Sequence, residues 1–239
     1  MKHRLYHPPP LTSGMALALD RDRAHYLLRV LRLREGAELL CFDGAGRAWA
    51  ATVADASPRR ATLDLGDLVA EAPPPEPRLH LAQGQLKGAA MDRAIQKATE
   101  LGVTDIWPLR AERSNVPADR QRLARKHDHW QKIIENAAEQ CATLYLPRLH
   151  PLQELTEFLA QAPPAEWILL QPGAPALPLT LPRTPAGVLV GPEGGWTESE
   201  LQAAAARQIT CHGLGSLVLR GETAPLAALA AIRHGWGWQ

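Results

Sequence analysis

The pattern of apolar and polar positions changes once along the chain. In the first 72 residues the apolar positions come in short, strand-like runs. Leu39-Leu40-Cys41-Phe42 is one such run, closed by the turn pair Asp43-Gly44, and 49–53 and 61–65 are the next. Tyr26, Leu27, Val30 and Leu31 predict a short helix over 23–31. Four prolines in the five positions 73–77 then exclude both ladder and helix and predict a stiff linker. This places a domain boundary there, with 1–72 on one side and 78–239 on the other.

Beyond the linker, strand and helix patterns alternate. A strand at 79–82 runs to Gly84, and Met91, Ile95, Ala98 and Leu101 follow at helical spacing with Gly102 as the stop. A strand at 103–109 precedes a long amphipathic helix through Trp130, Ile133, Ile134, Ala137, Ala138 and Cys141. Strands at 167–170 and 188–190 come next, then a helix opened by the capping box Thr197-x-x-Glu200. A strand at Ile209 and a helix over 224–234, with Pro225 in its first turn, complete the series. Such alternation predicts an α/β domain with a parallel sheet covered on both faces.

Two of these strands run into glycine loops. Val188-Leu189-Val190 meets Gly191-Pro192-Glu193-Gly194-Gly195. The strand at Ile209 meets Gly213-Leu214-Gly215-Ser216, then a second apolar stretch, 217–219, read as strand, then Arg220-Gly221-Glu222-Thr223. Loops at the carboxyl ends of strands are where an open α/β sheet holds its ligand.

Composition narrows the setting. The chain has 239 residues, 46% hydrophobic and 21% charged, as in a soluble globular protein. There is no membrane-length apolar run, and the basic N-terminus lacks the apolar core of a signal peptide. Three dispersed cysteines, Cys41, Cys141 and Cys211, point to a reducing compartment, hence the cytoplasm. The net charge of +1 is uneven. Residues 87–148 carry eleven Lys and Arg against eight Asp and Glu, whereas 149–239 carry four against seven. A basic front and an acidic back suit a protein that holds an anionic polymer with one part and a small ligand with the other, while charge alone fits a plain solvated surface as well.

Several chemistries lack their motifs. No Walker loop or G-x-S-x-G elbow is present, and Gly213-x-Gly215-x-x-Val218 has valine where a dinucleotide fingerprint needs a small residue. His127 and His129 fall on different helix faces and no cysteine spacing suits zinc, so no metal is expected. What remains is binding and orientation by loops, with charge near a reacting centre.

Several segments together resemble the bacterial 16S ribosomal RNA uracil-N3 methyltransferases of the SPOUT superfamily. They are Leu5-Tyr6-His7-Pro8, the stretch 25–33, Phe42-Asp43-Gly44, the helix 94–103, Trp130-Gln131-Lys132-Ile133, Glu139-Gln140-Cys141, Gly191 to Gly195, and Leu219-Arg220-Gly221-Glu222-Thr223-Ala224. The resemblance implies an N-terminal PUA-like RNA-binding β-barrel and a C-terminal α/β domain with a trefoil knot. It also implies S-adenosylmethionine as methyl donor, 16S ribosomal RNA of the small subunit as substrate, and a homodimer paired through Leu226, Leu229, Ala230 and Ile232. The chain departs from the family pattern at Leu217, where arginine is frequent, and at Ala142-Thr143, in place of Gly-Arg.

Carried onto this chain, the resemblance implies a cofactor site of Leu170, Gln171, Pro172, Gly191, Pro192, Glu193, Gly194, Gly195, Leu214, Gly215, Ser216, Leu217, Leu219 and Thr223. Glu193 would meet the ribose hydroxyls or offset the sulfonium charge; alternatively it serves the helix start at Thr197. Arg220 would stabilise negative charge on the uracil oxygens, with Glu222 orienting it; alternatively the two form a structural salt bridge. Arg4, Arg29, Arg32, Lys87, Arg113, Lys132 and the run Arg120, Arg122, Arg125, Lys126 would grip RNA phosphates; alternatively any one of them is a solvated surface charge. Competing readings are a SPOUT enzyme acting on another RNA atom, such as a ribose 2′-hydroxyl, a non-catalytic RNA-binding module, and a nucleotide-dependent oxidoreductase.

Overall fold

The computed structural model describes residues 3–58, 60–114, 120–178 and 182–237. The chain divides into two compact units, Met1–Pro74 with Ala138–Leu146, and Pro75–Ala137 with Pro147–Gln239.

The first unit is built on a five-stranded sheet. Its strands are β1 (His3–Tyr6), β2 (Ala16–Ala18), β3 (Glu38–Phe42), β4 (Arg47–Asp55) and β5 (Thr62–Glu71), in the order β1-β3-β4-β5-β2. Only the β1–β3 pair is parallel. Leu5, Leu17, Leu27, Leu39, Trp49, Val53 and Leu63 fill its core, each buried side chain of this size contributing about 1.5–3 kcal/mol. Cys41 is fully buried there, and burial pushes its thiol up to about 12, which keeps it inert. The helix expected over 23–31 is α1 (Arg21–His25), capped by the Asp20 carboxylate on the Arg23 N–H at 2.8 Å, and continued by a π-helical turn, Tyr26–Val30. It stops where Arg32 takes a left-handed φ of 56°. A second cluster joins Phe42, Ala48 and Ala138 with Tyr6, Leu144 and Leu146. Glu139 accepts the Tyr6 N–H at 2.9 Å and the Tyr145 hydroxyl donates to the Ala72 carbonyl at 2.8 Å, so 138–146 is held in this unit by side chains.

The second unit contains a sheet of β6 (Leu79–Gly84), β7 (Asp105–Arg110), β8 (Arg148–Leu149), β9 (Gln153–Glu154), β10 (Glu166–Leu170), β11 (Ala186–Val190) and β12 (Thr210–His212). The order is β12-β10-β11-β6-β7-β8, with β9 also on β7, and every pair is parallel. The helices are α2 (Ala89–Glu100), α3 (Arg120–Cys141), α4 (Leu155–Gln161), α5 (Glu198–Ala205) and α6 (Ala224–Gly235). Ala82, Leu169 and Leu189 pack with Leu155, Phe158 and Ala204 of α4 and α5. By strand alternation Leu81, Ile168 and Val188 face the other way, and α6 packs on β11 and on α2. None of the described helices is long and apolar enough to cross a membrane.

Two expectations are corrected. Residues 217–219 are not strand: Leu217 and Val218 are 77% and 79% exposed. In α6, Leu229 and Ile232 are fully buried within the chain, so they cannot serve a dimer face; Leu226 and Ala230 are only partly buried.

The amino-terminal ends of the strands carry a closed polar and aromatic network. Asp105 is buried, with His150 Nε2 at 3.0 Å, the Thr104 hydroxyl donating at 2.9 Å, and His80 Nδ1 at 3.2 Å but poorly aligned for a hydrogen bond. Burial works to raise the Asp105 pKa. The bond with His150, the contact with His80 and the Thr104 hydroxyl outweigh it and hold the carboxylate well below its usual range. Trp107 stacks on His150 at 3.2 Å, Phe158 meets both Trp107 and Trp167 edge-on, and Trp167 stacks on His80. A Cβ on Gly187 would stand 2.3 Å from the Trp167 ring, so only glycine admits this packing.

Candidate active site

Because the sheet is parallel, β6, β10, β11 and β12 all end at one edge. The loops that leave them enclose a cavity of about 620 Å³. From the expected cofactor set it brings together Leu170, Gln171, Pro172, Gly191, Pro192, Glu193, Gly195, Leu214, Gly215, Leu217 and Leu219, along with Arg220 and Glu222. Gly194, Ser216 and Thr223 lie outside the lining.

Local forces fix each loop. The Gly195 N–H donates to the Pro192 carbonyl at 2.8 Å, closing a turn in which Gly195 takes φ +67° with open space beside it. A Cβ on Gly84 would stand 2.6 Å from Pro192 N, so the end of β6 can approach this loop only as glycine. Beyond the turn, the Thr197 hydroxyl accepts the Glu200 N–H while Glu200 accepts the Thr197 N–H, the capping box foreseen for α5. The loop after β12 is tied to the loop after β10. Gly213 N–H donates to the Pro175 carbonyl at 2.7 Å, and Leu177 N–H donates to the Gly213 carbonyl at 2.9 Å. The Arg220 carbonyl accepts from the N–H groups of Thr223 and Ala224. Its backbone is thereby held at the entry to α6 while its side chain remains exposed.

The charged groups pair differently from either sequence reading. Glu193 Oε1 accepts the backbone N–H of Lys87 at 2.8 Å, which pins the 191–195 loop to the start of the β6–α2 connection. Glu222 Oε1 accepts from the guanidinium of Arg93 at 3.0 Å. Its own backbone N–H and Arg93 lower the Glu222 pKa, with a smaller contribution from the charge of Arg220. Among the described residues Arg220 has no hydrogen-bond or ion-pair partner, so the structural salt bridge with Glu222 is not formed.

The residues expected to grip RNA are scattered. Lys87 lines the cavity. Arg113 donates to the carbonyls of Gly194 and Trp196 at 3.0 and 3.1 Å, so it braces the loop. Arg4 is half-buried, donates to the Thr143 carbonyl and lies over the Phe42 ring at 5.3 Å. Arg29, Arg32 and Lys132 are exposed. The side chain of Arg120 lies outside the described residues. Sequence reasoning missed Arg93, His212 and Trp196 in the lining. The one signal for Arg93 was position: α2 starts just past the end of β6, so its first turns must border the ligand edge. Among the described residues no group of His, Cys, Asp and Glu is arranged to hold a metal.

Comparison with known proteins decides the family. Residues 73–233 match the family described as RNA methyltransferase domain, and 19–66 match the RNA methyltransferase PUA domain. The ribosomal RNA small subunit methyltransferase E of Synechocystis is 32% identical over 97% of this chain and 77% of its own length. The chain belongs to the ribosomal RNA small subunit methyltransferase E family. The Bacillus subtilis member is 29% identical over 94% of this chain and 92% of its own length. The solved family member of Neisseria gonorrhoeae, bound to S-adenosylmethionine, is 33% identical with a TM-score of 0.87 and covers 98% of both chains. A Legionella pneumophila protein in complex with the same cofactor is 29% identical with a TM-score of 0.91, also over 98% of both chains. The parallel sheet with its helices is thus the family's fold.

Proposed function

We propose that this chain transfers a methyl group from S-adenosylmethionine to N3 of a uridine in 16S ribosomal RNA, within the small ribosomal subunit. The carrying observation is the guanidinium of Arg220, unpaired among the described residues, at the lip of a cofactor-sized cavity, with the nearby carboxylate of Glu222 already engaged by Arg93.

The cavity fits the donor. Its volume lies in the range of small-molecule sites. Leu170, Val190, Leu214 and Leu219 offer apolar walls for a purine, and the loop backbones offer polar groups to its edge. The buried indole N–H of Trp196, also in the lining, has no partner among the described residues. When bound, S-adenosylmethionine supplies an electrophilic methyl carbon on a sulfonium.

The protein's part is to position and stabilise. Uracil N3 is a poor nucleophile while protonated. As its proton leaves to solvent, negative charge spreads to O2 and O4. A guanidinium at those oxygens lowers the barrier, because the charge it meets exists only along the reaction. The N3 lone pair would then be free to take the donor's methyl carbon, with the neutral thioether as the leaving group. Arg93 keeps Glu222 from neutralising Arg220, so the cation remains available. Glu193, held by Lys87, keeps the glycine loop closed under the ligand.

The same reading assigns 1–72 to a PUA-like barrel that binds RNA and 78–239 to the methyltransferase domain. A trefoil knot is supported by the hydrogen bonds that run Gly213 alongside the loop leaving β10. A homodimer is supported by Leu217 and Val218, whose exposed apolar surface suits cover by a second copy. A ribosomal substrate places the enzyme in the cytoplasm. Nucleoside analysis of small-subunit RNA from cells with and without the gene tests the reading. Loss of 3-methyluridine is expected; loss of a 2′-O-methyl nucleoside instead would reassign the target atom.

A further inference from the structure

The amino-terminal half of α3 is arranged against its own stability. Arg125 and Lys126 lie three and four residues after Arg122 and four and three before His129, so the four share one face, and together they line a recess of about 420 Å³. Arg122 stands in the first turn, where the helix dipole disfavours a cation, and that turn holds no acidic residue. Like charges at these spacings repel. Arg122 and Lys126 make no hydrogen bond or ion pair among the described residues. Among the described residues Arg125 has only a long contact, 3.5 Å, with the Gln121 carbonyl. Burial, then the charge of Arg122, lowers the pKa of Lys126, and the charge of Asp92 offsets this only in part. The carboxylate that meets the cluster is Asp92 of α2, 3.0 Å from His129 Nε2.

Asp92 is also what connects this recess to the cavity. Its neighbour on α2 is Arg93, which lines the cavity and holds Glu222. One turn of α2 therefore borders both places. From Arg122 to His129 the helix rises by about 10 Å, enough to span a pair of neighbouring phosphates on one strand. Resting on the function proposed above, we propose that this recess is a phosphate subsite that holds the RNA backbone beside the target uridine. Unpaired cations at a helix start are what such a ligand would neutralise, and the helix dipole adds to the attraction.

The test uses the full-length protein and the triple variant Arg122→Gln, Arg125→Gln, Lys126→Gln. Affinity for protein-free small-subunit RNA is measured across salt concentrations, and S-adenosylmethionine affinity by calorimetry. RNA binding should weaken at least about tenfold at low salt, and the slope of log K against log salt should fall by about two. Cofactor affinity should hold, and the melting temperature should stay level or rise, since repulsion is relieved. Unchanged RNA affinity and slope in the folded variant would overturn the subsite, as would an equal loss of cofactor binding. Should the triple variant not fold, Lys126→Gln alone is read by its slope, which should fall by about one. The functional reading fails separately. If the wild-type chain moves no methyl group to small-subunit RNA, either protein-free or in the assembled subunit, the methyltransferase assignment falls, while the difference in RNA affinity still decides the recess.

Discussion

Glu222 accepts a hydrogen bond from Arg93, which lies 129 residues earlier, and leaves Arg220, two residues before it, without a partner among the described residues. The acid nearest in sequence is thus occupied by a cation from another element.

If Arg220 meets the uracil oxygens, Arg220→Ala should lower the single-turnover rate roughly a hundredfold or more. Cofactor affinity should barely change. Arg220→Lys should restore part of the rate, since an ammonium lacks the planar fork. Raising the pH should partly rescue the alanine variant, because more substrate is then already deprotonated. A normal rate at saturating RNA and cofactor would remove Arg220 from the mechanism.

The Arg93–Glu222 pair should be visible in a double-mutant cycle by thermal melting. Arg93 is more than half exposed, so solvent screens the pair and a coupling of only about 0.5–1 kcal/mol is expected. Coupling between Arg220 and Glu222 should be smaller. The Glu222 pKa is depressed in the folded chain, so this contribution is present above its unfolded value and fades as the pH falls through the folded one. A larger Arg220–Glu222 coupling would reverse the pairing.

Gly195→Val should abolish S-adenosylmethionine binding in a chain that still folds. The left-handed φ of +67° resists a β-branched residue at a cost of about 1–2 kcal/mol. The side chain would also enter the open space beside the cavity-lining turn. Calorimetry on the folded variant checks this, and an unchanged Kd would clear the loop of a cofactor role.

Asp105→Asn should destabilise the second unit by about 3 kcal/mol or more, since it removes the buried carboxylate around which His150 and Thr104 are hydrogen-bonded. Asp105 has a depressed pKa, so its stabilisation is complete above the ordinary carboxylate range and is lost on acidification. Denaturant unfolding below pH 5 should therefore depend on pH less steeply in the variant than in the parent. Parallel slopes would mean that another group governs acid unfolding.

Much of the architecture could be read in advance because its strands are continuous apolar runs. β6, β10 and β11 are buried on both faces, and Val188-Leu189-Val190 announces that without any structure. β1, β2, β8 and β9 escaped notice, being two to four residues long with at most one buried side chain each. The stretch 217–219 misled because apolar residues there form an exposed cavity wall instead of joining the sheet. At the site, glycines and position on the strand ends identified the loops. Pairings were illegible for two reasons. Arg93 and Glu222 are far apart in the chain, and the partner of Glu193 is a backbone N–H, a group every non-proline residue carries.

The cavity draws on Lys87, Leu170, Gly191 and the stretch from His212 to Ala224, so its walls come from widely separated parts of the chain. A polypeptide that stops short of Ala224 lacks the final wall, however well its earlier strands have paired. During synthesis the ligand cannot act as a template for the sheet, because nothing exists to receive it until that last loop is made. Ligand occupancy thus requires synthesis through Ala224, and fragments that stop before it are excluded by geometry.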